Sequence, residues 1–289
     1  MATHIQSPFE WGWDRLKVRV GDIGSSKPEE YWPQAQRRAA VPEVRRIGLA
    51  DLREALACGF DDFASNRTDI AFLCVIYPVI GLVISRIAYG YELIPMLFPL
   101  AAGFTLLGPL AAIGLNEMSR RREQGTAVNW MDAFGVLRSP SIGAIAKLGF
   151  LLIGIFLLWV GVAGVIYDAT LGPEPPISNT AFLHDVFTTG AGWAMIVVGV
   201  GVGFLFAAVV LSISVVSFPL LLDRPARVET AIRTSFSAVR TNPGPMAVWG
   251  LIVAAGLVLG SIPLFLGLVV VMPVLGHATW HLYRRMVRR

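Results

Sequence analysis

The sequence is short of charged side chains, which make up 15% of its 289 residues, whereas 55% of the residues are hydrophobic. Soluble domains of average composition carry about 25% charged residues. The shortage is uneven, because residues 1–69 hold 21 charged side chains while the long apolar runs after them hold almost none. This contrast excludes a soluble globule and indicates a polar N-terminal tail joined to a membrane domain.

Cysteine and membrane-embedded ionisable residues are also scarce. Cys58 and Cys74 are the only two cysteines, and this number excludes a disulfide framework. An isolated cysteine in apolar surroundings usually acts as a small hydrophobic side chain. Between the ends of the apolar runs there is almost no Asp, Glu, Lys, Arg or His. Because such residues mark ion paths and proton relays in membranes, a pump or an ion-coupled carrier is disfavoured. A carrier of an apolar or lipid-like substrate is not excluded.

What the chain has in abundance is apolar sequence in runs suited to crossing a bilayer, which takes roughly 20 residues. The predicted spans are residues 70–89, 93–115, 142–167, 193–222, 246–261 and 263–283. The last two come from one block that is too long for a single span. Pro263 interrupts it, and proline cannot continue the hydrogen-bond ladder of a helix. We therefore predict two short spans joined by a tight hairpin there.

The basic residues predict the orientation of the spans. Of the 24 Lys and Arg residues, all but Arg86 fall on one predicted side of the membrane. Basic residues collect on the cytoplasmic side of membrane proteins. Because the tail and the arginine-rich C-terminus must then share that side, the number of spans is even. The prediction is six transmembrane helices with both termini in the cytoplasm.

The sequence also repeats itself. Residues 99–121 align without gaps with residues 263–285, and both prolines, the leucine, the glycine and the Arg pair match. Upstream, a second pattern at i, i+3 and i+4 is typical of an amphipathic helix. Its members Leu52, Ala55, Leu56, Phe60, Phe63 and Asn66 correspond to Val228, Ala231, Ile232, Phe236, Val239 and Asn242. A weaker copy comprises Trp130, Ala133, Phe134 and Leu137.

These matches predict an all-α membrane protein built from three repeated units. Each unit is an amphipathic helix on the inner leaflet followed by a transmembrane hairpin. After a polar tail at residues 1–47, the units are residues 48–117, 118–223 and 224–289. For the middle unit, chance alignment of apolar sequence remains an alternative.

Five short motifs carry a resemblance to a known family. They are residues 98–104, 107–110, 217–224, 242–246 and 276–285. These motifs resemble a bacterial family of predicted integral membrane proteins of unknown function, some of whose members are labelled as cytochrome c oxidase. The resemblance covers roughly residues 45–286, and its most specific part is the motif at 276–285. It implies a multi-pass protein of the bacterial inner membrane and supplies no catalytic residues.

The histidine content bears on the oxidase label. A haem–copper catalytic subunit needs several histidines within the membrane, since imidazole is the usual ligand of both metals. This chain has four histidines, of which His4 falls in the tail and His184 in a predicted outer loop. We therefore expect no catalytic oxidase, no enzyme and no cofactor. An accessory or assembly role remains compatible with the label.

The two remaining histidines are candidate site residues. His277 and His281 are four residues apart and share one helix face, so they could bind a metal or part of a haem. The alternative is an interfacial pair bonded to backbone and headgroups, because no third ligand is evident. In the repeat, His281 aligns with Glu117. If the two span ends meet, Glu117 and His281 form a polar pair.

Glycines within the predicted spans indicate close helix packing. Gly199 with Gly203, and Gly256 with Gly260, follow the small-xxx-small spacing that lets membrane helices approach closely. A dinucleotide-binding loop is not indicated, because such a loop follows a strand in a soluble βα unit.

The charged segments predict lipid as a partner and exclude nucleic acid. Before residue 70 there are ten basic and eleven acidic residues, whereas nucleic-acid binding needs a concentrated positive surface. The arginines expected to contact anionic headgroups are Arg120, Arg121, Arg122, Arg284 and Arg285. Aromatic residues in the tail indicate docking, either on the protein's own cytoplasmic face or on a partner.

Three functions follow as hypotheses. The leading one is a non-enzymatic scaffold or accessory protein that serves a respiratory or envelope complex in the membrane. The alternative is a transporter or lipid-handling protein with a cavity between units one and three, near Pro109 and Pro273. The third is metal or haem handling through His277 and His281.

Overall fold

The structure is a computed structural model that describes residues 42–65, 79, 82–83, 86, 94–173, 176 and 178–288. The chain divides into two units, Met1–Ala40 and Val41–Arg289, and the described residues all belong to the second. The predicted tail up to residue 41, and all but four positions of the predicted span at 70–89, lie outside the described residues.

The regular elements in the described ranges are helices. In chain order they are α1 Leu49–Ser65, α2 Ile94–Leu106, α3 Gly108–Ala111, α4 Ile113–Glu123, a 3-10 helix Trp130–Arg138, α5 Ile142–Thr170, α6 Asn179–Thr188, α7 Gly190–Ser214, α8 Ser217–Asp223, α9 Val228–Thr241, α10 Pro243–Ser261 and α11 Leu268–Met286. The predicted all-α class is confirmed for these ranges.

Three segments in the described part are long and apolar enough to cross a membrane. They are Ile142–Thr170, Gly190–Asp223 and Pro243–Ser261, and they coincide with the predicted spans at 142–167, 193–222 and 246–261. The predicted span at 93–115 is divided among α2, α3 and α4. Pro109 lies in the first turn of α3, where the missing amide N–H costs nothing.

The last predicted hairpin has a longer turn than expected. Helix α10 ends at Ser261 and α11 begins only at Leu268, so the predicted start at residue 263 is five residues too early. Leu264 and Phe265 in the turn have positive φ angles. The backbone segments that flank this turn lie in close contact, because a Cβ atom on Gly267 would lie 2.7 Å from the Cα of Gly260.

The N-terminal amphipathic helix packs on the C-terminal helix. Helix α1 buries Leu52, Ala55, Gly59, Asp62 and Phe63, and its main contact is with α11. The crossing is close at Gly59, where a Cβ atom would lie 2.6 Å from the amide nitrogen of Ala278. Only glycine admits this approach of two helix backbones.

The two other amphipathic segments pack on the helices that precede them. The 3-10 helix begins at the cap Asn129, whose side chain accepts a hydrogen bond from the Met131 amide. It lies against α4, with Ala133 beside Gly114. Helix α9 lies against α7 and α8, and its Ser235 hydroxyl accepts a hydrogen bond of 3.2 Å from the Val216 amide.

An extended segment joins the start of this unit to its end. The Arg45 amide donates to the Met286 carbonyl at 2.8 Å, and Val44 forms an isolated antiparallel bridge with Val287. The buried Asn242 side chain accepts from the Ile47 amide at 2.8 Å and donates to the Arg45 carbonyl at 3.0 Å. These contacts connect residues that are between 195 and 243 positions apart in the sequence.

The glycines singled out in the sequence differ in their surroundings. A Cβ atom on Gly203 would lie 3.1 Å from the Trp159 ring, and one on Gly256 would lie 3.2 Å from Val271. Gly260 faces Leu268 in the hairpin. Gly199 has no described residue within 4 Å of a Cβ placed there. Three of the four glycines therefore lie at helix contacts within the chain.

Candidate functional site

A group of polar side chains is buried where α1, α4 and α11 meet. Asp62 from α1 is 8% exposed, while Ser119 from α4 and His277 from α11 are each 1% exposed. His281 and Arg122 lie at the edge of the group. We call these five residues the polar cluster. Burying polar groups costs free energy unless they are hydrogen-bonded. The hydrogen-bond partners of these five residues therefore determine what the cluster can do.

The hydrogen bonds converge on one carboxylate. Ser119 Oγ donates to Asp62 Oδ2 at 2.6 Å, and Nε2 of His281 lies 2.8 Å from the same oxygen. The Ser119 hydroxyl also lies 2.7 Å from Nδ1 of His277. A hydroxyl has a single proton, and that of Ser119 is donated to the Asp62 carboxylate. In the bond between Ser119 and His277 we therefore assign the proton to Nδ1, which donates to the Ser119 oxygen. Nε2 of a neutral His277 then holds a buried lone pair, which has no hydrogen-bond partner in the described part of the chain.

Opposite charges keep the carboxylate ionised. Arg122 Nε lies 3.3 Å from Asp62 Oδ1, and its guanidinium also donates to the Asp61 carbonyl at 3.1 Å. Burial alone raises the pKa of Asp62, but the hydrogen bonds from His281 and Ser119, together with the Coulombic interaction with His281, lower it below its ordinary value. The cluster therefore pairs a buried anion on α1 with donors from α4 and α11.

This arrangement differs from a hydrolytic triad. In a triad the histidine lies between the carboxylate and the serine and takes the serine proton. Here the serine lies between the carboxylate and the histidine, and its proton is committed to Asp62. A buried Ser119 hydroxyl is not activated for attack by this geometry. What the cluster can do is join α1, α4 and α11 through charge-assisted hydrogen bonds.

The predicted pair of Glu117 and His281 has different partners. Glu117 accepts two hydrogen bonds from Arg120, of 2.7 and 2.8 Å, and one of 2.8 Å from Arg121. His281 is bonded to Asp62 instead. The reason is the rotation of α4: side chains two residues apart on a helix point about 200° apart. Ser119 faces α11, and Glu117 faces away from the cluster.

His277 and His281 do approach a common group, as their spacing predicts. Nδ1 of His277 and Nε2 of His281 lie 3.9 and 2.8 Å from Asp62 Oδ2. Within the described ranges, no three His, Cys, Asp or Glu side chains are grouped so that they could hold a metal ion. Metal binding by the two histidines stays a prediction.

The arginines predicted to contact lipid headgroups all have acidic partners in the chain. Arg120 and Arg121 bind Glu117, Arg122 binds Asp62, Arg284 binds Glu123 and Asp223, and Arg285 binds Asp51 and Glu54. Their side chains keep between 14% and 39% of their surface exposed. Contact with headgroups remains a prediction for that exposed part.

Two members of the polar cluster were missed by the sequence reasoning. Asp62 had a signal: it follows Leu52, Ala55 and Gly59 at helical spacing, so it is a carboxylate on the apolar face of α1. A carboxylate there needs a buried partner. Ser119 had no comparable signal, because serine is common on helices of any environment.

Comparison with protein families gives a match over part of the chain. Residues 97–223 match the family model described as "Predicted integral membrane protein (DUF2189)". Neither the curated proteins nor the solved structures give a match to the chain. The matched segment runs from α2 to the end of α8, so it includes Ser119 and Arg122 but not Asp62 or the two histidines. The expected resemblance to membrane proteins of unknown function is confirmed, and it assigns no role to the polar cluster.

Proposed function

We propose that this integral membrane protein is a non-enzymatic scaffold or accessory protein for a membrane complex. The observation that carries the proposal is how few residues of the candidate spans are buried in the part of the chain that the structure describes. In the most apolar window of Gly190–Asp223, 6% of the residues are buried, compared with 22% in Ile142–Thr170 and 17% in Pro243–Ser261. Such helices offer most of their surface to lipid and to the helices of a partner.

The composition of α7 suits a helical partner. Among the described residues, none lies within 4 Å of a Cβ placed on Gly199 or Gly201, while Val197, Val200 and Phe204 are exposed beside them. Small residues next to large apolar ones form the packing faces of membrane helices, since van der Waals contact drives their association. The partner proposed is therefore a transmembrane helix of another subunit, in a respiratory or envelope complex of the bacterial inner membrane.

The test is purification in mild detergent, followed by mass spectrometry of the proteins that remain bound. We expect a reproducible membrane partner, which Gly199→Leu weakens because the larger side chain blocks close approach. The matched control is Gly154→Leu on α5, where a Cβ atom also meets open space. Recovery of the protein alone, or equal loss of the partner in both variants, would count against the proposal.

A cavity-forming transporter has less support from the packing. Helices α4 and α11 meet closely, because a Cβ on Gly276 would lie 2.6 Å from Leu115 Cδ1, and Pro273 is buried. This contact lies one helical turn from Pro273, so close packing there gives the cavity hypothesis less support. Metal or haem handling is the weakest proposal, since Nδ1 of His277 and Nε2 of His281 already have partners. Equal metal content in the wild type and a His277→Ala, His281→Ala variant would end it.

We also propose the finer architecture of six spans in three repeated units, with both termini in the cytoplasm. Each amphipathic segment packs on the second hairpin arm of the preceding unit. The 3-10 helix contacts α4, α9 contacts α7, and α1 contacts α11. The last pair is between the first unit and the third, so the sequence of contacts closes on itself. This cyclic pattern supports a common origin of the three units.

A further inference from the structure

A cavity of about 340 Å³ lies beside the polar cluster, on the opposite face of α4. Its walls are the end of α4, the end of the 3-10 helix, the residues that lead into α5, and the end of α8. A volume of this size is at the small end of the range of about 300–1,000 Å³ found for ligand pockets. We name it the arginine cavity after the residues that dominate its wall.

The wall of this cavity carries an excess of positive charge. Four arginines line it, namely Arg120, Arg121, Arg138 and Arg224, together with the carboxylates of Glu117 and Asp223. Both oxygens of Glu117 are occupied by Arg120 and Arg121. Asp223 accepts from the Tyr283 hydroxyl at 2.6 Å and pairs with Arg224 at 3.2 Å. Both carboxylates therefore hold guanidinium groups in place.

Arg138 differs from the other three arginines. It lines the cavity and is exposed, and it forms no ion pair with any residue that the structure describes. The planar guanidinium of arginine matches the oxygens of phosphate, to which it donates paired hydrogen bonds. Arg138 therefore has its full donor capacity available to an anion, unlike Arg121, which also binds Asp132 at 2.6 Å.

The start of α5 adds hydrogen-bond donors to the same wall. Ser141 lines the cavity, is 7% exposed, and makes no side-chain cap hydrogen bond although it occupies the cap position of this 29-residue helix. The residue is thus largely buried at the cavity wall, and its hydroxyl caps no amide of the helix. The neighbouring Ser139 hydroxyl accepts from the Ser141 amide at 3.2 Å, so its own proton is free to be donated. The positive end of the α5 dipole favours an anion there as well.

We propose that the arginine cavity binds the phosphate group of an anionic ligand, through Arg138, Ser141 and the arginines held by Glu117 and Asp223. Helix α5 is a candidate membrane span that begins at Ile142, so the cavity adjoins the end of a span. Two sources of phosphate can reach such a place, the headgroup of an anionic phospholipid and a soluble phosphate. Their shared chemistry is an oxyanion that accepts from guanidinium and hydroxyl groups.

The experiment uses the full chain in mild detergent and has two arms. In the first, calorimetry measures binding of inorganic phosphate, with chloride at equal ionic strength as reference. In the second, native mass spectrometry counts retained phosphatidic acid and phosphatidylglycerol against phosphatidylcholine. The variants are Arg138→Gln and Ser141→Ala, with Arg233→Gln as control, because Arg233 is an exposed arginine of α9 outside the cavity.

We expect Arg138→Gln to weaken binding about tenfold or more, since one charge-assisted hydrogen bond has about that value. Ser141→Ala should weaken it less, and Arg233→Gln should leave it unchanged. Binding in the first arm identifies a soluble phosphate as a sufficient ligand, and binding in the second alone identifies a lipid headgroup. No binding in either arm, or equal effects of Arg138→Gln and Arg233→Gln, overturns the proposal.

Because Arg138 has no described ion pair, its replacement should leave the melting temperature unchanged. This measurement separates loss of binding from loss of folding.

Discussion

At the scale of single residues, the buried carboxylate of Asp62 is the point at which three helices meet. Asp62 joins three helices because Ser119, His281 and Arg122 all approach its two oxygens. Losing one partner of such a group is more costly than the mean value of a hydrogen bond, because the other partners remain buried without it. By contrast, Nε2 of His277 is buried and has no hydrogen-bond partner among the described residues.

The variant Asp62→Asn should lower the stability of the protein in detergent by about 2–3 kcal/mol, the cost of losing hydrogen bonds to a charged group. The measurement is the melting temperature, or the midpoint of denaturation where unfolding is reversible. Asp61→Asn is the matched control, since Asp61 is exposed next to it and offers its backbone carbonyl to Arg122. An equal effect of both variants would contradict the structural role of Asp62.

The pH dependence of stability should follow from the lowered pKa of Asp62. Its folded-state pKa lies below the ordinary value of about 3.9, so the stabilisation is complete above that value and is lost as the pH falls through the folded-state pKa. The groups that face Asp62 are His277, His281 and Arg122. Acidification below about pH 4 should therefore destabilise the wild type more than Asp62→Asn, as measured by melting curves at several pH values. Parallel curves for the two proteins would show that another group is responsible.

At the scale of elements, the contact of α1 with α11 is set by small residues. Gly59 brings the two backbones together, with Ala278 directly opposite. The amphipathic pattern of α1 predicts that this helix has one apolar face, but it does not identify what covers that face. The middle amphipathic segment is a 3-10 helix of nine residues between the Asn129 cap and Ser139.

Gly59→Ala should destabilise the protein by about 1–3 kcal/mol, which is the usual cost of overpacking a close contact. The added Cβ atom would lie 2.6 Å from the Ala278 amide nitrogen and 2.7 Å from the Val274 carbonyl oxygen, so α1 must move away from α11. Gly161→Ala in α5 is the control, because no residue of the described ranges lies within 4 Å of a Cβ there. Helix propensity alone makes that replacement neutral or stabilising. Similar melting temperatures for Gly59→Ala and the wild type would refute the close crossing.

At the scale of the whole molecule, the polar cluster, the ion pairs of α4 and α11, and the arginine cavity lie near the predicted cytoplasmic ends of the helices. Helix α6, between α5 and α7, contains no Lys or Arg. This difference between the two ends is the basis for the proposed orientation, because basic residues are retained on the cytoplasmic side.

Labelling of single cysteines should report that orientation. In a chain with Cys58→Ser and Cys74→Ser, Thr180→Cys in α6 should react with a membrane-impermeant maleimide in intact cells. Arg240→Cys in α9 should react only after the membrane is opened, because it lies on the opposite predicted side. Both positions are exposed in the structure, so burial does not limit either reaction. The reverse pattern would invert the topology, and equal labelling of both before lysis would contradict it.

The sequence by itself determined the all-helical class, the three candidate spans and the amphipathic faces of α1 and α9. These features depend on local composition and periodicity, which tertiary contacts rarely override in long apolar segments. Only the tertiary structure decided that His281 pairs with Asp62, 219 positions away, and that Glu117 binds Arg120 and Arg121. It also brought Arg138, Ser141 and Arg224 to one cavity. The physical reason is that such partners depend on how each helix is rotated about its axis and which helix packs against it, and both are set by close packing at residues such as Gly59 and Gly276.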